Sequence, residues 1–384
     1  MHITAIDLWH IKSPLVRPYP LSKIYGTLTH AEAVFLRITT SDGREGWGEA
    51  DPLPPFTEEW PGGAMLFLSD LAAPRLIGRD ASEIAAIASE LDALAPGNPT
   101  AKGAIDMALH DLVGKAAGVP VHVLLGGRLR DQIPVLWPLG SGTLQDSLEV
   151  VTEKIAEGYR SFMIKTGSHD VALDAERTLA LIERFHPDVR FIADANQGWS
   201  ESEALRFVDL IGAAPLFLLE QPVSKDNPDG LKRVRQASRV PVSADESVFS
   251  LIQAARLATE QAVDVFSIKP SKNGGLAQSR KIASLAEGHG LGILMNSMIE
   301  FGVTQAASLQ LGLTLPNLLD CGHAYMSTLR IAEDPTDFSD HVAGGIARAP
   351  DAPGLGVTVG LAQLEKLAVA HRRIDGGQIR EAVA

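Results

Sequence analysis

The sequence predicts an α/β fold, a (β/α) barrel joined to a separate N-terminal α+β domain, on three observations. Eight short apolar runs follow residue 133 and alternate with amphipathic stretches. Ionisable residues stand at the ends of those runs, one repeat apart. Before residue 125 the pattern differs, with strands first and helices after them. An open doubly wound sheet shows the same alternation, but eight runs and the placing of the charges favour closure into a barrel.

The first domain is read as 1–125. His2 to Ile11 and Ala33 to Thr40 carry β-branched and aromatic residues, and Ser41-Asp42-Gly43 is a turn signal between strands. Residues 63–77, 81–95 and 100–117 have helical apolar spacing. LLGGRLRDQ (124–132) reads as the junction. The barrel is assigned to 126–350, with strands at 133–138, 161–165, 189–194, 215–220, 240–245, 263–269, 291–296 and 317–320. Residues 351–384 begin Pro/Gly-rich, continue as a weakly helical tail, and are expected to pack back on the first domain.

The composition sets bounds on function. The 384 residues are too many for one ordinary core, and 45% apolar with 21% charged residues suits a globular protein. A net charge of −13 argues against a general nucleic-acid binder. It does not exclude an anionic substrate, because a bound cation dominates the local field. Cys321 is the one cysteine, so no intrachain disulfide forms and a reducing compartment is expected. No apolar run approaches the roughly 20 residues that span a bilayer, and the N-terminus lacks the apolar core of a signal peptide. The expectation is a cytoplasmic protein without membrane or nucleic-acid partners.

The last residue of each barrel strand carries the chemistry. The second to sixth runs end at Lys165, Asp194, Glu220, Asp245 and Lys269, at intervals of 29, 26, 25 and 24 residues. Groups one βα unit apart converge on one end of a barrel, and the C-terminal end is where barrel active sites lie. Three carboxylates from adjacent strands repel one another in a partly buried pocket unless a cation joins them. An all-oxygen set favours Mg²⁺, or Mn²⁺, over zinc. Separate helix capping is the alternative for any one of the acids. Lys165 and Lys269 flank the trio and so face each other across the barrel. Near a metal and another cation their pKa values are expected to fall, which suits a base. A small-molecule carboxylate is the matching substrate, its oxygens on the metal and its α-proton within reach of either lysine. The bland alternative is that the lysines pair with the acids and hold the rim. Glu300 follows the seventh run, and Asp320 ends the eighth.

FMIKTG, IADANQGW, LLEQP, VSADES, SIKPSKNGG and NSMIEFG together resemble the enolase superfamily, and within it the muconate lactonizing subgroup. GREGWGEA (43–50) and residues 102–127 resemble that family's capping domain. The resemblance implies a modified TIM (β/α) barrel with an N-terminal capping domain, an essential Mg²⁺ on Asp194, Glu220 and Asp245, and Lys165 and Lys269 as the acid/base pair. It makes Asn196 and Glu246 orienting residues, and Glu300 a proton shuttle or a contact to the distal part of the substrate. It also implies a homo-oligomer. Two departures stand out. Met163 occupies the first lysine position of the family's KxK motif, which is expected to raise the pKa of Lys165. Asp320-Cys321-Gly322 keeps only the first acid of the Asp-x-Asp pair of the dipeptide epimerases, which argues against a dipeptide substrate.

The loops PYPLSKIYG (18–26) and DPLPPFTEEWPGG (51–63) are expected to act as lids over the barrel mouth. Tyr19, Tyr25, Phe56 and Trp60 are their candidate substrate contacts, with Tyr325 and Met326 beyond the eighth run. The leading reading is a Mg²⁺-dependent racemase or epimerase. A cycloisomerase or dehydratase shares the same enolate. A metal-dependent barrel aldolase or hydrolase, or a non-catalytic binding protein, is the reading from another class.

Overall fold

A computed structural model describes residues 1–376 and 378–382. The chain opens with an antiparallel meander of β1 (Ile3–Pro20), β2 (Thr27–Thr40) and β3 (Glu45–Ala50). The Ser41-Asp42-Gly43 turn joins β2 to β3, with Gly43 at φ +79°. The helix Pro99–Ala117 lies against β3 and is buried on most of its surface. It comes so close because β3 offers glycine there. A Cβ on Gly48 would stand 1.9 Å from the Ala104 carbonyl oxygen, and one on Gly46 would stand 2.3 Å from that of Ala108. Both obstacles are backbone and cannot rotate away. Gly48→Ala is therefore expected to destabilise the fold by about 2 kcal/mol or more, the upper range for overpacked sites. Thermal melting checks this, and an unchanged midpoint would refute the close-packing account.

After β4 (Gln132–Pro134) the barrel begins. β5 (Leu136–Leu139), β6 (Ser161–Lys165), β7 (Arg190–Asp194), β8 (Leu218–Glu220), β9 (Val242–Ala244), β10 (Val265–Ile268) and β11 (Gly292–Met295) form a parallel sheet in sequential order. The strands are buried on both faces, so they read as continuous apolar runs without alternation. Side-chain and backbone caps start several of the outer helices, with reciprocal pairs at Thr143/Asp146, Ser200/Glu203 and Ser250/Gln253.

The eighth position departs from a regular strand. Residues 317–324 bridge from β11 to β5, through Ile293 with Leu318 and Val135 with His323. The Ala324 N–H donates to the Met295 carbonyl, and the Leu136 N–H donates to that of His323. Between these contacts the chain makes an excursion at Asp320–Gly322. A Cβ on Gly322 would meet the Leu136 nitrogen at 2.6 Å, so the segment closes the barrel only with glycine there. β13 (Ile346–Arg348) then pairs with β4 on one side and with β12 (Val342–Ala343) on the other.

Among the described residues the tail is helical only over Leu361–Leu367. β14 (Ala368–Asp375) pairs antiparallel with β1, and β15 (Gln378–Ala382) adds outside it. The open edge of β1 supplies the hydrogen-bonding partners that turn this segment from helix to strand. The His371 ring stacks on Trp9 at 4.6 Å, and Arg373 pairs with the buried Asp7 at 2.9 Å.

Candidate active site

Parallel register puts the strand-end residues on one rim. Lys165 stands opposite Asp194, and Asp194 opposite Glu220; Asp245 and Lys269 follow the ends of β9 and β10. All five side chains are buried. Lys165 pairs with Asp194 Oδ2, and Lys269 Nζ lies 2.6 Å from Asp245 Oδ2. Around an eight-position barrel β6 and β10 are four places apart, so the two lysines approach from opposite sides.

Glu220 is the centre of the electrostatics. Its Oε1 accepts from Ser267 Oγ at 2.6 Å and Asn296 Nδ2 at 2.7 Å. Its Oε2 is buried without a hydrogen-bond partner. Burial, and then the charges of Asp194 and Asp245, push its pKa well above the carboxylate range. Burial opposes the charge on Lys165 and Lys269, but the neighbouring acids outweigh it and both pKa values are raised. The lowering expected of them belongs to a site in which a metal offsets the acids. Here the acids' negative charge acts on the lysines directly.

These residues fit a hard divalent cation. The donors are all carboxylate oxygens, Asp194 and Asp245 sit close enough for their charges to act on Glu220, and one buried oxygen is orphaned. As the side chains stand, no three of them form a metal-holding group among the described residues. Lysine ammonium groups instead engage the oxygens of Asp194 and Asp245.

Over this rim lies a small chamber of about 50 Å³, lined by both lysines, Met163, Tyr19, Tyr25 and Phe56 among others. Lys269 points its Nζ at the Phe56 ring, 4.0 Å from the centroid. Tyr25 Oη donates to Glu246 Oε1 at 2.9 Å and accepts from Gln197 Nε2 at 2.6 Å. Asn196 Nδ2 donates to the same Glu246 oxygen at 3.3 Å. Burial, with the charges of Asp245 and Asp194, pushes Glu246 up to about 8.

Comparison with known proteins agrees with this geometry. Residues 5–126 match the mandelate racemase / muconate lactonizing enzyme N-terminal domain, and 146–363 match the enolase C-terminal domain-like family. Muconate cycloisomerase 1 of Pseudomonas putida is 34% identical over 92% of this chain and 95% of its own. The chain belongs to the enolase superfamily, in its muconate lactonizing subgroup. L-Ala-D/L-Glu epimerase of Bacillus subtilis (strain 168) is 31% identical over 95% of this chain and 99% of its own. The solved N-succinyl Arg/Lys racemase of Bacillus cereus ATCC 14579 superposes with a TM-score of 0.93 at 29% identity, over 97% of this chain and 100% of that one. This enolase-superfamily protein is an isomerase, and enzymes of its family are generally Mg²⁺-dependent.

Within this muconate lactonizing framework, four expected contacts stand elsewhere. Trp60 is 59% exposed at the start of the helix Pro61–Leu66, its ring beside Gly62 and Gly63, and takes no part in the chamber. Tyr325 is fully buried and its hydroxyl donates to the Ser308 carbonyl at 3.2 Å, so it packs behind the barrel wall; the next residue, Met326, faces the chamber. Glu300 folds back into its own loop. It accepts from Ser297 Oγ, from the Met298 N–H at 2.7 Å and from Gln305 Nε2 at 3.1 Å, and it does not line the chamber. Burial, with the charge of Asp51, raises it to about 7.

Asp320 is at the wrong end of the barrel. Its carboxylate pairs at 2.8 Å with Arg190, the first residue of β7, while the lysines sit at the strands' other ends. The irregular eighth segment turns outward at this point. Asp320→Asn is expected to leave catalytic turnover within about twofold of wild type, as for surface positions away from a site. A larger loss in kcat would place Asp320 back in the reaction.

Three features escaped the sequence reading. Lys272 is fully buried, and its Nζ lies 2.6 Å from Asp245 Oδ1 and 2.5 Å from the Asp245 carbonyl. Its signal was present, three residues after Lys269 in SIKPSKNGG. Ile299 lines the chamber at φ +76°, a strained setting for a β-branched residue. Arg330 lines it as well, ten residues beyond Asp320, where no strand-end rule reaches.

Proposed function

We propose that the protein is a racemase or epimerase of a carboxylic acid, one lysine removing the α-proton and the other, already protonated, delivering its own proton to the opposite face. Asp194, Glu220 and Asp245 hold Mg²⁺, and Lys165 and Lys269 are the catalytic pair. The observation that carries this reading is the approach of two buried lysines from opposite sides of one chamber above three carboxylates. When bound, the cation would offset two of the three negative charges of the acids and would polarise the substrate carboxylate. Lys165 and Lys269 then lie on either side of the α-carbon, each within reach of one face. Asn196, Tyr25 and Gln197 fix Glu246 beside Asp245, and Phe56 shields Lys269 from water. The 50 Å³ chamber is below the size of a substrate pocket, so the 18–26 and 51–63 loops open to admit one. Met163 puts an apolar side chain where the family's first lysine stands, leaving Lys165 as the only cation that β6 sends to the site.

Cycloisomerisation is the second reading, favoured by the 34% identity to a muconate cycloisomerase over nearly its whole length. One lysine suffices there, because the proton moves once. Incubation with Mg²⁺ in D₂O and a panel of N-acylated amino acids and unsaturated diacids separates the two. Racemisation puts one deuterium at the α-carbon and yields both stereoisomers, whereas cycloisomerisation consumes the open-chain diacid. Absence of exchange across the panel, with Mg²⁺ bound, would rule out α-proton abstraction.

A further inference from the structure

Residues 21–26, the turn between β1 and β2, send two side chains down to the strand ends. The buried Ser22 hydroxyl donates to the Asn196 carbonyl at 3.1 Å. Tyr25 Oη takes the Gln197 side-chain amide at 2.6 Å besides donating to Glu246. Both lid residues therefore grip the elbow that follows Asp194.

That elbow is strained. Asn196 and Gln197 stand at φ +41° and +63°, and Gln221, directly after Glu220, stands at φ +33°. Such settings persist in non-glycine residues only where the surroundings over-determine them. Here the lid lies on one side of the elbow and the acids on the other. The Asn196 N–H donates to Asp194 Oδ1 at 2.9 Å. The Gln197 N–H donates to the Gln221 carbonyl at 2.9 Å, and Gln221 Oε1 accepts from the Asp245 N–H at 2.9 Å. A path of hydrogen bonds thus runs from the lid to Asp194 and Asp245 and passes the residue next to Glu220. Hydrogen bonds of this kind hold metal-binding carboxylates in place and are part of a site's affinity.

We propose that the 18–26 lid completes the metal centre, with Ser22 and Tyr25 as positioning residues that act through the Asn196–Gln197 elbow on the three acids. Lid docking and Mg²⁺ binding are then coupled, and Mg²⁺ alone fastens the lid before any substrate arrives. This rests on the reading of Asp194, Glu220 and Asp245 as a Mg²⁺ site.

The test combines calorimetry of Mg²⁺ binding, without substrate, with hydrogen exchange of the peptide covering 18–26. Y25F and S22A are each expected to weaken Mg²⁺ binding by about 10- to 100-fold, the usual effect of removing a hydrogen-bond partner behind a metal ligand. Coupling is reciprocal, so saturating Mg²⁺ is expected to slow exchange of the wild-type peptide by about the same factor, and by less than about twofold in either variant. Melting in EDTA shows whether each variant folds, and a purely structural role would lower that midpoint with the Mg²⁺ affinity unchanged. Unchanged affinity in both variants, or a wild-type lid that Mg²⁺ does not protect, overturns the coupling and leaves the metal site standing. Weaker binding in Y25F with S22A folded and unchanged makes Tyr25 a partner of Glu246 alone and also overturns it. If S22A does not fold, the affinity of Y25F and the exchange of its lid carry the test. No Mg²⁺ binding by wild type overturns the metal reading itself, and the coupling falls with it.

Discussion

Lys165→Ala and Lys269→Ala are each expected to lower racemisation by about 10²- to 10⁴-fold, the usual contribution of a positioned acid or base. The two losses should differ in stereochemistry. If the lysines approach the α-carbon from opposite sides, each variant keeps one of them. Each should still exchange the α-proton of the enantiomer whose proton faces the remaining lysine, and should lose exchange of the other. Single-enantiomer incubations in D₂O, followed by proton NMR, read this directly. Full turnover in both variants would refute the two-base mechanism. Loss of all exchange in one variant and none in the other would point to one-base chemistry and so to cycloisomerisation.

Glu220→Gln is expected to trade metal binding for stability. Glu220 is fully buried between two other acids, its Oε2 has no partner, and its pKa is driven up by burial and by Asp194 and Asp245. An amide keeps the Oε1 contacts to Ser267 and Asn296 and places an N–H₂ donor where the orphaned oxygen stood. Replacing the orphaned acceptor by a donor that faces the carboxylates of Asp194 and Asp245 is expected to stabilise the protein in EDTA by about 1–3 kcal/mol. With about 2 cal/mol/K of unfolding entropy per residue, a chain of 384 residues rises by roughly 1 °C per kcal/mol. The same change removes one of three anionic ligands, so the Mg²⁺-induced rise in melting temperature should disappear and activity with it. Melting curves in EDTA and in Mg²⁺ give both numbers from one sample. A variant that melts lower than wild type in EDTA, yet still gains from Mg²⁺, would place the metal elsewhere.

Much of the site was legible because it obeys a period. Each βα unit delivers one strand-end residue, so Lys165, Asp194, Glu220, Asp245 and Lys269 could be aligned by counting, and parallel register keeps them on one rim. The eighth segment breaks that rule. Counting put Asp320 at the mouth, but the chain there bridges two strands irregularly and swings Asp320 to the far end, against Arg190.

Loop residues obey no period, and for them composition misleads. Phe56 and Trp60 belong to the same aromatic loop, yet Phe56 covers Lys269 while Trp60 faces solvent. The tail read as helix became a strand because β1 offered it an open edge.

The sequence by itself determined the barrel, the order of the charged residues around its rim and the family to which they belong, because those follow from repeat length and strand direction. The tertiary structure alone decided how the charges pair, which lid residues turn inward, and that Arg330 stands in the pocket wall against Tyr19. Such pairings depend on where side chains from distant segments meet, and no local spacing encodes that.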